Sequence, residues 1–180
     1  MQMSNIHEQF EMLEANLQRL SARVPDLPIT GILLARLLVN LGREMASVLD
    51  QQIRPFGLTE AEFRALTTLY AQPEGVAHPS DLCARTSQSP ANMSRLTDAL
   101  VDRGLITRVM SMHDRRKMVL HVTDQGEELV RRLLPTLFAP LHAISEEFSE
   151  KEQRRMIAEL KRLGAKLDET VTQDVTQPSE

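Results

Sequence analysis

Residues Pro79 to Gly126 read PSDLCARTSQSPANMSRLTDALVDRGLITRVMSMHDRRKMVLHVTDQG, and the order of parts inside this run constrains the fold more than any other feature of the chain. A short helical pattern containing Leu82 and Ala84 meets a polar break at Thr86 to Gln88. Ser89-Pro90 then supplies an N-cap hydroxyl followed by proline at the first helical position, a strong helix start. In the helix that follows, Met93, Leu96, Thr97, Leu100 and Val101 recur at helical spacing and turn inward, while Ala91, Asn92, Arg95, Asp98 and Asp102 turn out. Gly104 ends it. Leu105 to Val109 and Met118 to Val122 are short runs of β-branched and apolar residues around a polar tip, Ser111-Met112-His113-Asp114-Arg115-Arg116, which predicts a β-hairpin. Thr123-Asp124-Gln125-Gly126 starts another helix.

The exposed first turn of the helix after Pro90 is small and polar with one arginine. Small residues let a backbone approach a DNA major groove, and Asn and Arg can make bidentate hydrogen bonds to adenine and guanine edges. An arginine at a hairpin tip can enter a narrow minor groove, where the negative potential is enhanced. An aspartate two residues earlier can hold the guanidinium fork in place. Each part alone reads equally well as an amphipathic helix with a solvated face, or as a charge cluster on a turn. Their order, helix, turn, helix, hairpin, helix, favours the groove-reading interpretation.

That order and those residues resemble the MarR family of bacterial transcriptional regulators, over roughly Ile32 to Leu167. Asp114-Arg115-Arg116, a strand, then Val122-Thr123-Asp124-Gln125-Gly126 matches the family's wing signature of D-x-R, strand, L-T-x-x-G, with Val122 where leucine is usual. Arg103-Gly104-Leu105-Ile106 matches the turn into the wing, and Cys83 sits where many members have alanine. The N-terminal extension, the run Ile32-Leu33-Leu34-Ala35-Arg36-Leu37 and the Leu134-Pro135 step look most like the multidrug-efflux repressors of the EmrR type. The resemblance implies a mostly α protein: a winged helix-turn-helix lobe with a two-stranded β-wing, joined to a helical dimerisation lobe made from both chain ends. It implies a homodimer on double-stranded DNA, with repression as the default. Together with the helical wheel it places Ser89, Pro90, Ala91, Asn92, Ser94 and Arg95 at the major groove, and Arg116 in the minor groove with Asp114 orienting it and Arg115 on phosphate. It also implies release by a small aromatic or phenolic effector bound between the dimerisation helices and the DNA-binding lobe. Candidate liners are Arg36, Asn40, Arg43, Phe63 and His142, because a cationic or polar group beside an apolar wall suits an organic anion. Some members sense oxidants through a thiol, and Cys83 admits that reading. Its place on a short helix more often means a small packing residue.

Charge agrees with this division. The chain carries −4 overall, which argues against a DNA partner until its distribution is considered. From Arg85 to Lys117 there are seven basic residues against three acidic, so the remainder holds −8. A basic patch on an acidic body is the electrostatic footprint of a DNA-binding module on a frame that does not touch DNA. Apolar residues make up 42% of the chain but aromatics only 3%, which points to helix packing. One cysteine excludes an internal disulfide, and no Cys/His spacing suits zinc, so neither metal nor cofactor is expected. The longest apolar run, Ile32 to Leu41, is broken by Arg36 and Asn40, so we expect no membrane span, no signal peptide and a cytoplasmic protein. No nucleophile elbow, P-loop, H-E-x-x-H or dinucleotide fingerprint is present, and the five histidines are scattered, which argues against an enzyme.

Outside the central run, Ile6, Phe10, Leu13, Leu17 and Leu20 predict a helix over 5–23, and Leu34 through Leu49 predict a long one over 30–53. Leu58-Thr59-Glu60-Ala61-Glu62-Phe63 contains a capping box and a hydrophobic staple, and Pro73 to His78 reads as a loop. Pro135 and Pro140 should bend or break the helix after the wing. Ser149 with Glu152 opens a last helix striped by Met156, Ile157, Leu160, Leu163 and Leu167. The expected organisation is dimerisation helices over 1–54, the winged lobe over 55–125, further dimerisation helices over 126–170 and a frayed tail over 171–180. Amphipathic helices at both chain ends are most simply buried against a second copy, which sets two recognition helices about one DNA turn apart. Changing Arg116 to Ala should cost a DNA reader much of its operator affinity in a gel-shift titration. A winged helix that binds only other proteins would keep its activity after the same change.

Overall fold

The structure, a computed structural model, describes residues 6–110 and 118–174, with side chains through residue 170. The chain divides into two compact units, one ending at Leu133 and the other beginning at Leu134.

In the first unit, α1 (Ile6–Ser21) lays its apolar stripe on α2 (Ile29–Ile53). Leu17 is buried there, so this helix already has a partner within its own chain. Met12, Leu20, Leu34, Val39 and Leu41 on the two helices remain exposed. Pro55 and Gly57 close α2 through a 3₁₀ turn at Arg54–Phe56. α3 (Glu60–Tyr70) begins with the predicted reciprocal cap. The Glu62 amide donates to Thr59 Oγ1 at 3.3 Å, and the Thr59 amide donates to Glu62 Oε2 at 2.8 Å. Ala65, Leu66 and Leu69 of α3 are buried, and the helix touches α2, α4, α5, α6 and the sheet, so it is the post around which the lobe is built.

The segment expected as a loop before α4 contributes a strand. After a 3₁₀ turn at Pro73–Gly75, β1 (Val76–Ala77) pairs antiparallel with β3 (Met118–Val122), Val76 opposite His121. β2 (Ile106–Met110) pairs on the other edge of β3, Arg108 opposite Leu120, giving the order β1-β3-β2. Glycine permits the extra strand. Gly75 has φ +64°, and a Cβ there would lie 2.3 Å from Val122 Cγ1.

α4 (Pro79–Thr86) and α5 (Pro90–Asp102) are joined by a tight turn, with Ser87 left-handed at φ 54°. The Gln88 amide donates to Cys83 O at 3.2 Å across that turn. Leu82, Met93, Leu96 and Leu100 point into a core closed by Ile53, Leu58, Ile106 and Leu120. Thr123 then caps α6 (Asp124–Leu133), its Oγ1 accepting from the Gly126 amide at 3.0 Å.

The second unit opens as its prolines dictate. Leu134–Leu137 is a 3₁₀ turn containing Pro135, and α7 (Phe138–Ser145) carries Pro140 in its first turn, where a missing N–H costs no intrahelical bond. α8 (Glu150–Asp174) starts with the second predicted cap: the Ser149 amide donates to Glu152 Oε2 at 2.9 Å, and the Glu152 amide donates to Ser149 Oγ at 3.4 Å. The Ser149 hydroxyl, with its backbone amide, holds the Glu152 carboxyl below the usual glutamate range. Phe138, Leu141, Ile144, Phe148, Met156, Ile157, Leu160 and Leu167 leave an apolar surface along both helices of this unit.

One close approach gives a direct test of the lobe's packing. A Cβ on Gly126 would lie 2.1 Å from the Leu105 carbonyl oxygen and 3.0 Å from Val122 Cγ2. Gly126→Ala should therefore destabilise the protein by about 3 kcal/mol, the upper end for an overpacked interior, read as a lowered urea midpoint.

Candidate nucleic-acid interface

The recognition surface is built on the N-terminal half of α5. Ser89 caps the helix, its Oγ accepting from the Asn92 amide at 3.2 Å, and Pro90 fills the first helical position. With Met93, Leu96, Thr97 and Leu100 locked into the core, the opposite face is forced outward. Ser89, Pro90, Ala91, Ser94 and Arg95 are exposed, and Asn92 is half-buried beside them. All six α5 residues expected at the major groove thus share one surface. The expected wing residues Asp114, Arg115 and Arg116 lie outside the described residues.

A polar relay joins the base of this surface to its arginine. Arg95 Nη2 donates to Asn92 Oδ1 at 2.8 Å, and Asn92 Nδ2 donates to Gln88 Oε1. In the sequence Gln88 reads only as part of a polar break. Its signal was the i, i+4 spacing to Asn92, which reaches back across the turn from the helix.

Two of the seven basic residues in the central patch are committed inside the lobe. Arg103 donates from Nη1 to Gly57 O at 2.6 Å and from Nη2 to Phe56 O at 2.9 Å, tying the end of α5 to the turn before α3. Arg108 stands opposite the fully buried Leu120, so its stem shares the core face of the sheet. Its Nη2 donates to Thr97 Oγ1 at 2.5 Å and pairs with Asp98 Oδ1 at 2.8 Å. Thr97 Oγ1 in turn donates to Met93 O at 2.9 Å. Arg108 Nε is buried and finds no acceptor among the described residues.

Arg108 also lines a partly open cavity of about 680 Å³. Pro79, Ser80, Cys83 and Ala84 of α4 form one side, Gln88, Pro90, Ser94 and Thr97 another, and Arg108 and Met118 of the sheet the third. Cys83 is half-buried in that wall. The five residues expected to line an effector crevice stand elsewhere. Arg36 and Arg43 are exposed on α2, with Asn40 half-buried on the same helix, Phe63 is half-buried on α3, and His142 is exposed on α7 in the other unit. None of them lines this cavity.

No group of His, Cys, Asp and Glu among the described residues could hold a metal ion, and no helix among them is long and apolar enough to cross a membrane.

Comparison with known proteins agrees with the geometry. The family model described as "MarR family" matches residues 56–117. The Escherichia coli K12 protein named transcriptional repressor MprA is 31% identical over 160 residues, covering 89% of this chain and 91% of that one. The chain belongs to the MarR family of DNA-binding transcriptional regulators. Among solved MarR-type structures, AbsC from Streptomyces coelicolor superposes with a TM-score of 0.74 at 23% identity, over 81% of this chain and 99% of that one. MepR from S. aureus, solved as a DNA complex, gives 0.69 at 23% identity, over 74% and 97%. The helix, turn, helix and hairpin of residues 79–122 are thus a MarR winged helix, and the chain is not an enzyme.

The Ser89 cap is the local device that fixes the first turn of the reading helix. Ser89→Ala should lower stability by about 1 kcal/mol in urea unfolding and raise amide exchange at Asn92.

Proposed function

We propose that this protein is a cytoplasmic repressor that grips a pseudo-palindromic operator as a homodimer, and lets go when a small aromatic carboxylate or phenolate enters the cavity between α4, α5 and β2. The observation that carries the effector half of this reading is Arg108. A guanidinium with a buried, unpartnered Nε, among the described residues, stands in a mostly apolar wall. Such a wall takes the flat body of an organic anion, and the Arg108 guanidinium supplies the positive charge that its carboxylate or phenolate needs. Arg36, Asn40 and Arg43 remain candidates for a second anion-binding face on α2.

Support for DNA reading comes from the outward face of α5 and from the likeness to a protein solved on DNA. Support for the homodimer comes from the apolar surface along α7 and α8 and from the exposed leucines of α1 and α2. Two reading helices on one duplex double the contact surface, and phosphates neutralised by each copy release counterions, so affinity should fall steeply with salt. The wing arginines Arg115 and Arg116 add phosphate and minor-groove contacts under this reading. Likeness to MprA and to the EmrR type makes drug-efflux genes the proposed targets.

The geometry also supplies a way for the effector to act. Pro90 and Ser94 belong both to the cavity wall and to the groove-facing surface. A ligand seated against them occupies ground that the duplex needs, so its differential affinity for the free state is built in.

Selection of bound fragments from genomic DNA, with and without salicylate-type compounds, tests both halves. Enrichment of a pseudo-palindrome that these compounds abolish is expected, with a dimeric mass by light scattering. Arg108→Gln should lose at least tenfold in sensitivity to the compound, read relative to the variant's own operator affinity, because the same change removes the Thr97 and Asp98 contacts that hold α5. No enriched sequence, or a monomer throughout, would refute the DNA reading. Undiminished sensitivity in Arg108→Gln would refute the cavity, and sensitivity lost instead on changing Arg36 and Arg43 would move the effector to α2.

A further inference from the structure

The geometry points to a division of labour on α5: Arg95 reads a guanine, while Asn92 and Gln88 position its guanidinium and make no base contact of their own. The inference rests on α5 being the DNA-reading helix and adds which side chain on it carries specificity.

A guanidinium can only donate hydrogen bonds, so the group facing Arg95 Nη2 at 2.8 Å must be Asn92 Oδ1. That fixes the orientation of the Asn92 amide. Its nitrogen then faces Gln88, which must present Oε1 to accept. The order of the relay therefore follows from chemistry and admits no flipped amide. Asn92 and Arg95 fall at i and i+3 on α5, where side chains of successive turns meet, and Gln88 faces Asn92 from the turn ahead of the Ser89 cap. The middle residue is pinned at its backbone, where the Asn92 amide donates to the Ser89 cap at 3.2 Å.

An asparagine that reads adenine must offer both its carbonyl and its amino group, edge-on, to one base. Asn92 is half-buried, and each of those groups is turned toward a protein partner, one on either side. Arg95 is exposed and uses Nη2 in the relay, which leaves its remaining donors for a base edge. Guanine, with O6 and N7 side by side, is the base that accepts two such donors. Arginine carries about 2 kcal/mol of rotamer entropy, so a guanidinium already held by Asn92 loses less on reaching the groove. Asn92→Ala frees the arginine without removing it, and the penalty should appear at the base pair that Arg95 reads.

The test uses the full-length protein and duplexes that it enriches from a random-sequence pool. Each base pair of one half-site is then changed in turn and affinity is measured by fluorescence anisotropy at constant salt. The native protein should prefer guanine at one position by about 10- to 100-fold, the discrimination of one bidentate pair. Arg95→Ala should abolish that preference. Asn92→Ala should cut it at least fivefold at the same base pair and leave the others unchanged, and Gln88→Ala should give a smaller loss there. Asn92→Asp keeps the acceptor for Arg95, so it should retain the guanine preference even as its charge weakens binding to every duplex. If Asn92→Ala instead erases a preference for adenine at a different base pair, or changes no preference, the relay has no positioning role. If Arg95→Ala matches the native protein on every duplex, or no sequence is enriched at all, the assignment of α5 as the reading helix fails first. Should Asn92→Ala fold poorly by circular dichroism, Gln88→Ala and Asn92→Asp carry the same comparison.

Discussion

The carbonyl of Leu105 is the point on which the DNA-binding lobe turns. It accepts from the Thr123 amide at 3.1 Å and from Thr123 Oγ1 at 3.0 Å, while the Leu105 amide donates back to Leu100 O at 3.0 Å. The last turn of α5, the start of β2, the end of β3 and the cap of α6 therefore meet within one buried cluster. Gly126 is part of the same cluster because only a residue without Cβ lets α6 lie against the Leu105 carbonyl. Since β2 follows α5 directly from this junction, the inner end of the hairpin is anchored to the helix here. A buried carbonyl has to be satisfied, and here the bonds that satisfy it also fix the geometry that DNA binding requires.

Electrostatics build on that frame in a way that formal charge conceals. Seven basic residues in the central run look like a uniform DNA-facing patch. Arg103 spends its donors on two backbone carbonyls, and Arg108 spends one edge on Thr97 and Asp98. Among the described residues, Arg85 on α4 and Arg95 on α5 are the patch members left exposed. The uncommitted positive charge of the patch, among the described residues, is thus concentrated on α4 and α5. Two arginines at the back of α5 hold the helix in place, and one at its front is left exposed.

What could be read from the sequence follows from the range of the interactions. Local devices were legible: both capping boxes, the Ser89-Pro90 start, the break at Pro135 and the strand Met118–Val122 all rest on residues a few positions apart. Long-range pairings were not. β1 is two residues long and has no alternation to detect, so Val76 and Ala77 become a strand only because β3 offers them an edge. Asp98 and Arg108 lie on different elements, and nothing local announces their ion pair. A fainter signal existed for Arg108. The alternation Ile106, Arg108, Met110 places a charge on the face that Ile106 buries, and a charge on a core face needs a partner. Helix α1 shows the same limit: its stripe specifies burial without naming the partner, and Leu17 is buried in a unit where α2 is its neighbour while Met12 and Leu20 stay exposed.

The cavity and the reading surface are two uses of the same few side chains, and this has a thermodynamic consequence. Gln88, at the foot of the Asn92–Arg95 relay, and Pro90 and Ser94, on the groove-facing side of α5, all line the wall beside Arg108. A ligand held there and a duplex held on α5 draw on one set of groups, so each must lower the affinity of the other by the same factor. Under the proposed reading regulation needs no large rearrangement of the frame, because the antagonism is local to one helix face. The duplex presents negative phosphates to the same lobe, and a carboxylate that takes Arg108 adds negative charge beneath the surface they approach. Under the proposed reading, steric overlap at Pro90 and Ser94 and the added negative charge at Arg108 act in the same direction, and either alone would leave the release weaker.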